Sequence, residues 1–125
     1  MEGYEVKITN CSKNLTGKER VAIKDITNAI KLDSAVEPDS KLEIIPSFTA
    51  TLEVHNENAE NKDYRIFVIV DENGDKYITS SESFMSSYNA IAEEMKDETE
   101  QWGIECYKIE SKRFKGKYFI TCSII

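Results

Sequence analysis

The chain has 125 residues, of which 40% are hydrophobic and 31% charged. That length serves one core, and that composition excludes the disordered and membrane-embedded classes, so residues 1–125 are expected as a single domain. Its 16 basic and 23 acidic residues give a formal net charge of −7, which taken whole argues against nucleic acid and anionic membranes as partners.

In chain order, Tyr4, Val6 and Ile8 alternate with polar residues and predict a first strand. Residues 21–26 (VAIKDI) fit either a strand or a short helix. Phe48, Ala50, Leu52 and Val54 alternate with Thr49, Thr51, Glu53 and His55, the pattern of a strand with one wet face. After a polar loop over 57–62, residues 64–70 are nearly all apolar, as in a central strand. Asp71-Glu72-Asn73-Gly74-Asp75 predicts a hairpin turn into a strand over 76–79, since Asn and Gly tolerate positive φ. Thr79 and Glu82 suggest a capping box for one helix, on which Phe84, Tyr88, Ile91 and Met95 recur at helical spacing. Strands over 103–110 and 117–124, joined by a loop over 111–116, close the chain.

The expected fold class is therefore mainly β with one helix. From Phe48 onward the order is β-β-β-α-β-β, which matches an OB-like small barrel.

Chemistry-bearing signatures are sparse. His55 is the single histidine and lies on the polar side of its strand, and no nucleophile elbow, P-loop or dinucleotide fingerprint occurs. The chain is expected not to be an enzyme. Asp71, Asn73, Asp75 and Glu82 fall at EF-hand positions, but Lys76 stands where that loop needs glycine, and the preceding segment reads as strand. Cys11, Cys106 and Cys122 have no metal-ligand spacing, so no metal and no cofactor are expected. Met1-Glu2-Gly3-Tyr4 lacks a basic and apolar leader, and no apolar run approaches the ~20 residues that span a bilayer. A cytoplasmic chain with reduced thiols and no membrane partner is expected, which leaves the asparagines of Asn10-Cys11-Ser12 and Asn14-Leu15-Thr16 without glycans. Cys122-Ser123-Ile124-Ile125 has the outline of a prenylation box, yet it continues the alternation of Tyr118, Ile120, Cys122 and Ile124 and reads better as a core strand.

Dividing the charge changes its meaning. Residues 82–105 hold one basic and seven acidic groups, or −6, while residues 106–125 hold five basic and one acidic, or +4. In the latter, Lys108, Lys112, Arg113, Lys115 and Lys117 interleave with Tyr107, Phe114 and Tyr118. Cations along phosphates and aromatic faces for unstacked bases are what single-stranded nucleic acid requires. Arg65, Lys76 and Tyr77 are candidates for neighbouring strand positions in the same groove. A charged tip that merely keeps a sheet edge soluble is the bland reading of the same residues.

Several stretches resemble the small single-stranded DNA-binding proteins of bacteriophages and mobile elements, including those of tailed phages with protein-primed replication. They are Leu52-Glu53-Val54-His55-Asn56, Lys62-Asp63-Tyr64, the run from Val70 to Thr79 with Ser83-Phe84, and the run from Ser111 to Ser123 with Lys115-Gly116-Lys117. The resemblance covers roughly the C-terminal two-thirds. It implies coating of single-stranded replication intermediates, without catalysis and largely without sequence preference, with replication proteins as further partners. The alternative is an acidic interaction protein or DNA mimic acting through residues 82–105, where Glu93, Glu94, Asp97, Glu98 and Glu100 cluster.

Overall fold

The computed structural model describes residues 3–125. Met1 and Glu2, part of the amino-terminal reading, and the side chain of Tyr4, part of the first strand's alternation, lie outside the described residues. In chain order the elements are β1 (Tyr4–Cys11), α1 (Gly17–Lys24), β2 (Ile30–Lys31), α2 (Leu32–Ala35), β3 (Leu42–Ile44), β4 (Pro46–Asn56), β5 (Asp63–Asp71), β6 (Lys76–Thr79), α3 (Glu82–Met95), β7 (Ile104–Glu110) and β8 (Tyr118–Ile124). The chain is mainly β, and the β-β-β-α-β-β order is present from β4 to β8. Two expectations are corrected. Among the described residues three helices are present where one was expected, and the strands lie in two sheets, β1-β4-β5-β6-β2 and β3-β7-β8, rather than in a closed barrel. The reason is partner choice: β1 pairs along one edge of β4, and β3 along one edge of β7. Contacts divide the chain into two compact units, Met1–Ile30 with Ser47–Ser80 and Lys31–Pro46 with Ser81–Ile125.

In the first unit, Ala50, Leu52 and Val54 of β4, Ile66 and Val68 of β5, and Ile78 of β6 form a buried cluster with Ile23 of α1. Fully burying such a side chain contributes ~1.5–3 kcal/mol, which explains why α1 forms despite only eight residues. Its start is set locally by a capping box: Thr16 Oγ1 accepts from the Glu19 amide at 3.2 Å, and Glu19 Oε1 accepts from the Thr16 amide at 3.0 Å. The Thr16 backbone bond, aided by Lys13, holds the Glu19 carboxyl below its ordinary range. The ambiguity over residues 21–26 is thus resolved as helix to Lys24.

Turn chemistry joins β5 to β6. The Gly74 amide donates to the Asp71 carbonyl at 3.0 Å and the Asp71 amide to the Asp75 carbonyl at 2.9 Å, with Gly74 at φ +88. Only Gly74, not Asn73, takes positive φ, so the turn is a three-residue loop with a glycine bulge. Asp71 Oδ1 accepts from the amides of Asn73 and Asp75 at 2.9 and 2.8 Å, which turns this carboxylate toward its own loop.

In the second unit, α3 is capped by Ser81, whose Oγ accepts from the Phe84 amide at 3.2 Å. Thr79, expected to open the capping box, is instead a buried residue of β6. Phe84, Met85 and Tyr88 form the buried face of α3. Two hydroxyls tie it to β8: Ser83 Oγ donates to the Ile120 carbonyl at 3.1 Å, and Ser87 Oγ lies 2.7 Å from Thr121 Oγ1. The helix stops at Met95, which leaves Asp97, Glu98 and Glu100 beyond its end. That placement keeps three carboxylates off the last turn, where the macrodipole opposes negative charge.

Candidate nucleic-acid interface

The basic, aromatic segment forms the β7–β8 hairpin of the second unit. Residues pair from Ile104↔Ile124 to Glu110↔Tyr118. The ladder closes on the loop with the Ser111 amide donating to the Lys117 carbonyl at 2.8 Å, and the Lys117 amide to the Phe114 carbonyl at 3.1 Å. Ser111 Oγ accepts from the amides of Arg113 and Phe114, each at 3.3 Å, so the loop's own hydroxyl shapes its first turn. Gly116 then reverses the chain at φ +82, a conformation that suits glycine.

Directly opposed residues share a sheet face, and this sorts the hairpin's side chains. Ile109 and Phe119 are opposed, 41% and 40% exposed. Glu110 and Tyr118 are opposed on the other face, and Tyr118 is 46% exposed. Phe114, at the tip, is 60% exposed. Ile109, Glu110, Ser111, Lys112, Arg113 and Phe119 line an open concavity of about 480 Å³. Lys112, Arg113, Lys115 and Lys117 are all exposed, and among the described residues none of them is in an ion pair. Lys7, Lys13, Lys41, Lys62 and Lys96, in contrast, each lie within 4 Å of a glutamate.

Of the residues singled out from the sequence, Lys112, Arg113, Phe114, Lys115, Lys117 and Tyr118 thus stand together on the hairpin. Tyr107 and Lys108, at its base, are half-buried and engaged. Tyr107 Oη lies 2.6 Å from Ser123 Oγ, and Lys108 Nζ donates to the Asp33 carbonyl of α2 at 2.6 Å. The other three belong to the first unit. Arg65 is exposed on β5. Lys76 Nζ donates to the carbonyls of Ala22 and, at 2.6 Å, Asp25, so its ammonium serves the C-terminal end of α1. Tyr77 is buried at 9% exposure, and its ring is core.

Phe119 and Ile109 escaped the sequence reading. The signal was present: Phe119 is apolar in the phase of β8 that otherwise carries Thr121 and Ser123, and Ile109 sits between Lys108 and Glu110. The expectation of Tyr118, Ile120, Cys122 and Ile124 as one buried face is corrected at both ends, because only Ile120 and Cys122 are buried. Trp102 is half-buried beside Tyr88, with ring centroids 6.0 Å apart.

His55 has both ring nitrogens occupied, Nδ1 by Asp63 Oδ1 at 2.7 Å and Nε2 by Glu57 Oε1 at 2.6 Å. Donation to the Asp63 carboxylate, then to that of Glu57, raises its pKa above 6.5 and favours the imidazolium. Lys62 also reaches Glu57, at 3.2 Å, so the cluster is an ion-pair network at the β4–β5 connection. Among the described residues no group of three or more His, Cys, Asp or Glu is arranged to hold a metal, and no helix is long and apolar enough to cross a membrane. Comparison with protein-family models, with curated proteins and with solved structures finds no match to this chain.

Proposed function

We propose that the chain is a single-stranded DNA-binding protein, and that the β7–β8 hairpin is its contact surface. One observation carries the reading: Phe119, Ile109, Lys112 and Arg113 line one open concavity, together with Glu110 and Ser111, and the exposed Phe114 follows in the same loop. Bases stack on such rings at ~1–3 kcal/mol each, without sequence preference, while the cations track the phosphates. The four cations without ion pairs supply the charge, and Glu110 is the one carboxylate in that segment. The sequence resemblance to phage and mobile-element single-stranded DNA-binding proteins implies the same activity, and the β-β-β-α-β-β order is that of an OB-type fold, which binds oligonucleotides at its last loop. On this reading the chain coats replication intermediates in a cytoplasm, alongside replication proteins, and performs no catalysis. Because Tyr118 faces away from Phe119, a single strand stacked on Phe119 does not stack on Tyr118 as well.

Fluorescence anisotropy with labelled oligo-dT over a salt series tests this. Four phosphates neutralised on a single strand give a slope of log K against log salt of about −2.8. Replacing Lys112 and Arg113 by alanine halves that slope, whereas Phe119→Ala weakens binding about 5- to 150-fold at unchanged slope. Binding that ignores salt, or that survives Phe114→Ala, Phe119→Ala and the double cation variant intact, rejects the hairpin. Charge reversal at Glu93, Glu94, Asp97 and Glu98 separates the acidic-mimic alternative, since it leaves or strengthens DNA binding here.

A further inference from the structure

The β7–β8 hairpin holds two thiols that the proposed interface does not use. Cys106 and Cys122 are direct partners across the ladder. Both are buried, at 0% and 5% exposure, and both are free.

The hydrogen bonds of the hairpin settle what kind of pair they form. In an antiparallel ladder, hydrogen-bonded and non-hydrogen-bonded pairs alternate. Ser111 donates to Lys117 at one end, and Ile125 donates to Gly103 at the other, so both are hydrogen-bonded positions. Counting inward from either end puts Cys106 and Cys122 at a non-hydrogen-bonded position. The Ile120 carbonyl agrees independently: it points away from β7 and accepts from Ser83 Oγ at 3.1 Å. At non-hydrogen-bonded positions the Cα atoms are about 4.5 Å apart and the side chains closest. Disulfides span Cα separations of about 4.4–6.8 Å, so this pair is bridged without moving the backbone far. The negative charge of one thiolate is felt by the other: the Cys106 pKa is pushed up to about 12, first by burial and then by Cys122. Burial alone takes Cys122 to about 12.

We infer that Cys106 and Cys122 are a redox-convertible pair, joined by a disulfide oxidant into a cross-strand bridge that locks β7 to β8 behind the loop. The inference does not rest on the nucleic-acid reading. In the closed hairpin both thiols are inert, because the thiolate is the nucleophile and burial suppresses it. Reaction proceeds when the hairpin opens locally and the thiols regain an ordinary pKa of ~8.5. One protein thiol gives its proton to solvent, and the thiolate attacks glutathione disulfide, releasing one glutathione thiolate. The second protein thiolate then attacks the protein sulfur of that mixed disulfide and releases the other glutathione. Two protein thiols are oxidised by two electrons, and one glutathione disulfide is reduced to two thiols. Cys11, half-buried on β1 of the first unit, is the internal control.

The test incubates the full chain with oxidised glutathione at pH 8, with and without urea below the unfolding transition. Alkylation, intact mass and peptide mapping follow. The expected product is 2 Da lighter, joins the peptides containing Cys106 and Cys122, forms faster in urea and reverts with dithiothreitol. The bridge encloses 15 residues, and closing that loop raises Tm by about 10 °C. Cys11→Ser gives the same product. A bridge to Cys11, glutathione retained on Cys106 or Cys122 without an internal link, or a bridged form melting at or below the reduced one, each overturns the inference.

Discussion

Lys76→Ala separates two roles for a lysine that its sequence context assigned to nucleic acid. Its ammonium donates to the carbonyls of Ala22, in the last turn of α1, and Asp25, its C-cap, where the Ala22 carbonyl also accepts from the Asp25 amide at 3.2 Å. Hydrogen bonds from a charged donor contribute ~1.5–3 kcal/mol when buried, and a cation at a helix C-terminus ~0.3–1 kcal/mol. Lys76 is half-buried, so solvent screening reduces the combined effect to ~1–2 kcal/mol. An unfolding entropy of ~2.1 cal/mol/K per residue over 125 residues converts this to a fall in Tm of ~4–8 °C. Circular dichroism melts of Lys76→Ala and Lys76→Met measure it, the second keeping most of the stem's packing. Oligo-dT affinity at 20 °C, where both variants stay folded, is expected to equal that of the unaltered chain. A variant that melts normally but binds tenfold more weakly refutes the assignment and returns Lys76 to the phosphate-contacting set.

Two further outcomes follow from local geometry. Because Asp63 and Glu57 raise the pKa of His55, its contribution to stability is fully present below the unfolded value near pH 6.5 and is lost as pH rises through the higher folded value. NMR titration of this single histidine should give a midpoint above 6.5 that falls most in Asp63→Asn; a midpoint at or below 6.5 removes the network. Thr16→Ala deletes the α1 cap and should cost about 1 kcal/mol, or about 4 °C in Tm; a melt unchanged within 1 °C contradicts the capping box.

Legibility in the sequence followed the range of the responsible force. The half-wet strand of Phe48 to Val54, the apolar β5 and the reversal at Gly74 were readable because alternation and turn residues act within a few positions. The Thr16-x-x-Glu19 signature is equally local and points to a helix entering residues 21–24, although apolar periodicity there is ambiguous. Thr79-Ser80-Ser81-Glu82 fits the S/T-x-x-E pattern and so predicts a helix cap at Thr79. What moved the cap to Ser81 is the burial of Thr79 in β6, a sheet-pairing effect.

The candidate interface divides the same way. Its charge, its cations and Phe114 lie within one short segment, so composition by segment located the hairpin tip without coordinates. The roles of individual side chains did not follow, because they depend on where chain far away in sequence comes to lie. Lys76 is consumed by carbonyls more than 50 residues earlier, and Lys108 by one 75 residues earlier. Alternation, turn residues and charge along the chain were enough for a mainly β chain, β-β-β-α-β-β in order, with opposite charge on its last two segments. The folded arrangement alone established that β1 and β3 take the strand edges a barrel needs. It also decided that Phe119 rather than Tyr77 offers an open ring, and that two cysteines face each other across one ladder. Strand order, burial and register all depend on contacts between residues distant in sequence, and local patterning carries no record of them.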